Sequence, residues 1–296
     1  MRLASALVLV LAAACGDDGS PANPDAPTTE DAPPVDADTS PRDITLRFAP
    51  KVGDAAFACG QSYANLGAQG TTVSPRDFRF YLHDVKLISA TGERVPVTLA
   101  SNDWQHQGVA LLDFEDFTGD CEDGTAETNA TVTGTAPDGT YTGISFTLGI
   151  PAALNHMDLT TLPAPLNVTG LWWSWSSGHL FLAAATHTEI TDPEPGTNDH
   201  YFHLGSLGCT GDPSMGETVT CAKPNRPLIE VTGFDPLTTP IIADWGALWP
   251  KSNLATEVGC HSFTQAPCAW PFDFVGLNWV TGSQTPTTQK LFRPGT

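Results

Sequence analysis

Positive charge is scarce in this chain: 13 Lys and Arg stand against 33 Asp and Glu in 296 residues, a formal net charge of −20. A phosphate backbone would be repelled, which excludes nucleic acid as a natural partner and favours a cation or a basic protein. The usual enzyme signatures are missing too. There is no G-x-S-x-G, H-E-x-x-H, P-loop or dinucleotide fingerprint, so hydrolase, zincin and nucleotide readings have no motif behind them. No C-x-x-C spacing occurs, which argues against a thiolate metal cluster. Methionine is nearly absent, with only Met157 and Met215 after Met1. Helical signals are sparse between residues 44 and 296, and no internal repeat is evident.

The apolar run that opens the chain, "MRLASALVLVLAAA", is shorter than the roughly 20 residues a membrane-spanning helix needs and reads as an export signal over residues 1–14. Its end, "LAAAC", resembles a bacterial lipobox, which implies cleavage before Cys15 and acylation of that cysteine. Gly16 rather than Asp at the next position points to the outer membrane, with the protein facing the periplasm or the cell surface. Residues 16–43 hold eight acids and six prolines with almost nothing apolar. Such a stretch cannot bury enough surface to offset its backbone entropy, so 15–43 is expected to be a lipidated cysteine and an extended, disordered tether.

Residues 44–296 are enough for one large domain. With the tether's acids, Arg2 and Arg42 set aside, 25 acids still face 11 bases, so the negative balance belongs to the body as well. Setting Cys15 aside leaves six cysteines in an exported chain, an even number that fits three disulfides. Sequence allows many pairings. Proximity favours Cys209–Cys221 and Cys260–Cys268, which leaves Cys59–Cys121.

Strand-like runs bounded by Gly, Pro, Asn and Asp recur through the body: "DITLRFAP", "RFYLHDVKLI", "GVALLDFED", "TYTGISFTLGI", "GLWWSWSSGHLFLAAA", "DHYFHLGSL" and "PLIEVTGF". A short helix is expected around "IIADWGALWP". The fold class is therefore mainly β, a single antiparallel sandwich-like or barrel-like domain with long disulfide-pinned loops. The acids of "LLDFEDF", Asp113, Glu115 and Asp116, could serve as an acid–base pair, although such a run more often ends a strand or holds a loop. "LWWSWSSGH" is denser in aromatics than any other stretch. In an extended chain Trp173 and Trp175 share a face, about 6.6 Å apart along the backbone, and Trp172 takes the other. Taken alone, that pattern fits core packing or a sugar-stacking platform.

The stretches "RFYLHDVKLI", "WQHQGVALLDFED" running to Cys121, "FTLGIPAALNH", "PLNVTGLWWSW", "FHLGSLGC" and "CAKPNRPLIEVTGFD" occur in that order over residues 45–245. Together they resemble the MbnP family, the exported four-cysteine proteins of the metallo-mystery pair. The resemblance implies a protein that is not itself an enzyme and binds one Cu(I) ion. It implies a partner, a di-haem MbnH- or MauG-like enzyme related to cytochrome c peroxidases. That partner oxidises the first tryptophan of a W-x-W pair to kynurenine, and copper binding depends on the change. The matching pair here is Trp173-Ser174-Trp175, which makes Trp173 the modified residue and Trp175 its neighbour.

Ring opening makes chemical sense as a prerequisite. An indole offers one N–H donor and no lone pair suited to a metal, whereas kynurenine carries a ketone oxygen and an aryl amine. Cu(I) is soft and takes imidazole and thioether ligands. The resemblance implies a histidine and a methionine near the kynurenine, and His83, His156 and His203 lie in matched motifs, with His106 and His179 in reserve. The position two before Trp173, where relatives are expected to carry methionine, is Leu171. The thioether would then come from Met157 or Met215, or a second histidine or solvent would complete the site. Copper storage, delivery or homeostasis is the function this implies. The competing readings are a glycan- or protein-binding surface built on the tryptophans and an enzyme using the acids of "LLDFEDF".

Overall fold

The computed structural model describes residues 40–174, 177–188, 199–255, 259–262, 266–285 and 289–296. The export signal 1–14, Cys15, the tether up to residue 39 and Trp175 lie outside the described residues. The body starts earlier than its composition indicates. Its first strand, β1 (Pro41–Val52), includes three residues that read as tether, because Pro41 to Arg47 pair with Thr131–Pro137 and Arg42 meets Asp138 at 2.7 Å.

Strand-like runs foretell β2 (Thr71–Ser89), β3 (Val109–Asp113), β5 (Tyr141–Leu148) and β8 (Asp199–Gly205), and one run covers both β6 (Trp172–Ser174) and β7 (Gly178–Thr188), whereas β4 (Thr131–Pro137) is not foretold. The hairpin β9 (Leu207–Thr210) and β10 (Thr220–Lys223) follows, then β11 (Leu228–Thr232), β12 (Ile241–Asp244), β13 (Gly259–Cys260) and β14 (Phe292–Pro294). The short helix expected around "IIADWGALWP" is a 3-10 helix over Trp245–Leu248, and the residues before it form strand β12. Its β-branched isoleucines line up with Phe48 and Ala49 of β1 and favour the sheet.

Two sheets pack face to face. The larger runs β11-β5-β2-β7-β8-β13, with β3 also on β2; the smaller runs β14-β12-β1-β4. Pairing is mostly antiparallel, as expected, but β1 with β12 and β8 with β13 are parallel. The core between the sheets is aromatic. Phe48 lies 6.1 Å from Phe80 and 6.0 Å from Phe146, and Phe292 sits 5.3 Å from Phe80 and 5.1 Å from Phe146, all edge-on. Each such fully buried ring contributes about 1.5–3 kcal/mol of transfer free energy.

The outer face of the larger sheet is buried as well. Asp77, Arg79 and Tyr81 of β2 point there and are at most 2% exposed. Loops do the covering: Tyr81 donates to the carbonyl of Pro165 at 2.7 Å, and the Cys59–Cys121 disulfide holds the loop that follows Phe114. The other two bridges are Cys209–Cys221 and Cys260–Cys268, the two that proximity in sequence favoured, with Cys59–Cys121 the pair that remained.

Candidate metal centre

Alternation along β8 sends Phe202 and Leu204 into the aromatic core and turns Tyr201, His203 and Gly205 to the loop-covered face. Register then lines up Asp113 of β3, Arg79 of β2, Ala183 of β7 and His203 of β8 in one row across the sheet. Ala183, the smallest side chain of that row, is fully buried, as is Ala185 beside it. Trp173 of β6 lies over the sheet, packed partly into the core, with its ring 6.5 Å from that of His203. Gly205 makes this possible: a β-carbon there would stand 2.8 Å from the indole, so only glycine lets the ring rest on the backbone.

A second histidine, His261, completes the arrangement. Three features aim it. β13 pairs with Tyr201 and Phe202, which fixes Cys260 beside β8. The Cys260–Cys268 disulfide ties that residue to the next turn. Ser262 takes a left-handed φ of 62°, which costs roughly 1–2 kcal/mol for a residue with a side chain. Its hydroxyl offsets this by donating to the carbonyl of His203 at 2.7 Å and accepting from the Gly205 amide at 2.9 Å. The result is a His203 Nδ1 to His261 Nδ1 separation of 3.0 Å.

Burial keeps both rings neutral. The His203 imidazolium is pushed down to about 3, first by desolvation, then by His261 and by the positive charge of Arg79. His261 is lowered by desolvation as well. Tyr201 packs 5.2 Å from His203 and 5.5 Å from His261, and its phenol is anchored by Asp199 at 3.1 Å. Asp199 also holds His187 Nδ1 at 2.7 Å and Arg76 at 3.1 Å, which ties the aromatic wall to the sheet edge. Burial and Asp199 push the Tyr201 phenol up to about 12, so it stays uncharged. Two neutral ring nitrogens converging within a wall of Trp173 and Tyr201 form a donor set suited to a soft monovalent cation rather than to a hard one.

Of the histidines expected from sequence, His203 stands at this centre. His83 does not: its Nδ1 is committed to the carbonyl of Gly149 at 2.8 Å, and it lies four residues along β2 from the row containing Arg79, about 13 Å. His156 is set against the Cys209–Cys221 bridge, 3.3 Å from Cys221 Sγ. His179 has both ring nitrogens on carbonyls, Asn155 and Leu166, each at 2.9 Å, and His106 sits half-buried on the short strand Gln105–His106. Met157 and Met215 are 40% and 76% exposed, and Leu171 is fully buried where a thioether was sought.

Asp113 and Glu115 do not form an open acid–base pair. They surround the Arg79–Asp77 ion pair beneath a cavity of about 630 Å³ that Arg79 and Asp113 line, and burial pushes both carboxyls up to about 7. Asp116 caps the Thr118 amide at 3.1 Å. Trp172 and Trp173 are half-buried, which leaves little open ring face for a sugar. Sequence reasoning missed His261, which lies beyond the matched stretches; its signal was adjacency to a disulfide cysteine, "GCHS".

Sheet topology defines a mainly β, sandwich-like protein, and the histidine pair beside a half-buried tryptophan is its candidate metal centre. The chain belongs to the MbnP family, whose family model matches residues 41–262, a span that includes His261. It is similar to the solved structure of MbnP from Methylosinus trichosporium, with a TM-score of 0.78 and 29% identity over 86% of this chain and 99% of that one. A comparison with curated protein sequences returned no match. Membership supports a metal-related function tied to copper handling.

Proposed function

We propose that this protein is a copper(I) carrier whose site matures when Trp173 is oxidised to kynurenine by a di-haem partner. One observation carries the reading: two neutral imidazole nitrogens, His203 Nδ1 and His261 Nδ1, meet 3.0 Å apart against the ring of Trp173. His203 and His261 would hold the ion; bound there, Cu(I) supplies the cargo for storage or delivery and takes part in no reaction. Opening the indole beside them would replace an apolar edge with a ketone oxygen and an aryl amine, polar groups the present wall lacks. Trp175 remains a further candidate for the site, whereas His156 stands away from it beside the Cys209–Cys221 bridge. Cys15 would carry lipid, and the acidic tether would hold the body away from the outer membrane, where the partner reaches it. No catalytic group is required of this chain, because the oxidant comes from the partner.

Peptide mass mapping after co-expression with a di-haem peroxidase-like partner tests the proposal. A mass change confined to Trp173 together with one retained copper per chain is expected. An unaltered Trp173 and copper-free protein would sink it.

A further inference from the structure

The hairpin β9–β10 places Cys209 directly opposite Cys221, and both are half-exposed, whereas Cys121, Cys260 and Cys268 are at most 1% exposed. His156 stands beside this bridge. Its Nε2 and the two sulfurs all lie within 4.8 Å of one another. Local hydrogen bonding settles which form of the ring is present. Asn155 Oδ1 accepts from the His179 backbone amide at 3.0 Å, which turns the Asn155 NH2 group towards His156 Nε2 at 2.9 Å. That nitrogen therefore carries the ring's lone pair, which faces the Asn155 NH2 group and has Cys221 Sγ 3.3 Å away. Ser206 Oγ, 3.4 Å from the same NH2 group, offers it another acceptor when His156 is engaged elsewhere. A surface cavity of about 390 Å³, lined by His156, Met157, Glu217 and Val219, reaches the imidazole that stands against the bridge.

We propose that Cys209, Cys221 and His156 form a second, reduction-gated site for Cu(I), separate from the His203–His261 centre. In the closed state the sulfurs are bonded to each other and the site is shut. A dithiol reductant opens it: the S–S bond breaks, the reductant's two sulfurs form their own disulfide, and its two hydrogens end on Cys209 and Cys221. Binding of Cu(I) then releases those two protons, leaving two thiolates and one imidazole nitrogen on the ion. Two thiolates and an imidazole, with the thioether of Met157 in the cavity that His156 lines, form a soft set that selects a soft ion over hard divalent ones.

The test is anaerobic Cu(I) titration of the full chain against a chromophoric Cu(I) chelator, before and after millimolar dithiol, with free thiols counted by alkylation and mass. Opening should expose two thiols, at Cys209 and Cys221, and add one bound Cu(I) per chain. His156→Gln should weaken that added ion by about tenfold or more and leave the other unchanged. His203→Ala should do the reverse, so failure of one site is distinguishable from failure of the other. Thiols that stay closed, an opened protein that binds no additional Cu(I), or an added ion indifferent to His156→Gln would each overturn the proposal.

Discussion

On one face of β2, Phe78, Phe80 and Leu82 are buried in the aromatic core, with Phe80 against Phe48 and Phe292 of the smaller sheet; on the other, Asp77, Arg79 and Tyr81 are as deeply buried but meet charges, carbonyls and loops. The first face works through area alone, so any apolar side chain of suitable volume would serve. The second works through pairing. Arg79 forks onto Asp77 at 2.8 and 2.6 Å while Asp113 and Glu115 crowd behind it, and the same row ends at His203. A buried ion pair is weak evidence for stability but good evidence for a positioned site. The contrast teaches that both faces of one strand can be equally buried while only the polar one positions groups that a ligand could use.

The largest effects should come from breaking each face. Phe80→Ala should cost about 3–5 kcal/mol in chemical denaturation, with copper stoichiometry retained wherever the variant is folded. Arg79→Met should cost a similar amount, about 3–5 kcal/mol, because three carboxyls would remain buried without their cation. It should also disturb the copper site, which Phe80→Ala should not, and equal copper binding by the two variants would erase the distinction between the faces.

Next comes the site itself. His261→Ala should weaken Cu(I) by about a hundredfold, roughly 2.7 kcal/mol, in a chelator competition, while shifting stability by less than about 1 kcal/mol. Unchanged affinity would remove His261 from the centre. Asp199→Asn, which loosens Tyr201, His187 and Arg76 without touching the histidine pair, should cost about tenfold in affinity at most.

The smallest effect is on pH dependence. Asp113 and Glu115, raised by burial to about 7, take up protons on folding, so their cost at neutral pH is recovered as pH falls from about 7 towards the unfolded carboxyl values. His203, lowered to about 3, acts oppositely and loses stability as pH falls below its unfolded value of 6.5. Asp113→Asn removes one acid-side gain. Its stability relative to wild type should decline by about 1–2 kcal/mol between pH 7 and pH 4, measured by urea unfolding. A difference that does not change with pH would mean that Asp113 keeps an ordinary value.

The aromatic face was legible in the chain because alternation in "RFYLHDVKLI" and "DITLRFAP" reports which side chains share a side. The polar face was half legible. His203 and Trp173 were identified by their motifs, but "GLWWSWSSGHLFLAAA" reads as one strand and is two, β6 and β7, with Trp172 opposite His179. His83 stands about 13 Å along β2 from the row that holds His203, a separation that motif membership does not report. His261 was missed because its partner, His203, lies 58 residues away and a parallel strand pair brings them together.

Composition and alternation alone established a mainly β body rich in negative charge, and proximity favoured the disulfide pairs, because these depend on residue type and on neighbours in the chain. Which histidines face each other, which carboxyls surround Arg79, and which sulfurs stand beside an imidazole were decided only by the packed sheets. Those contacts depend on strand register across loops, and a shift of one residue would turn every one of these side chains to the opposite face.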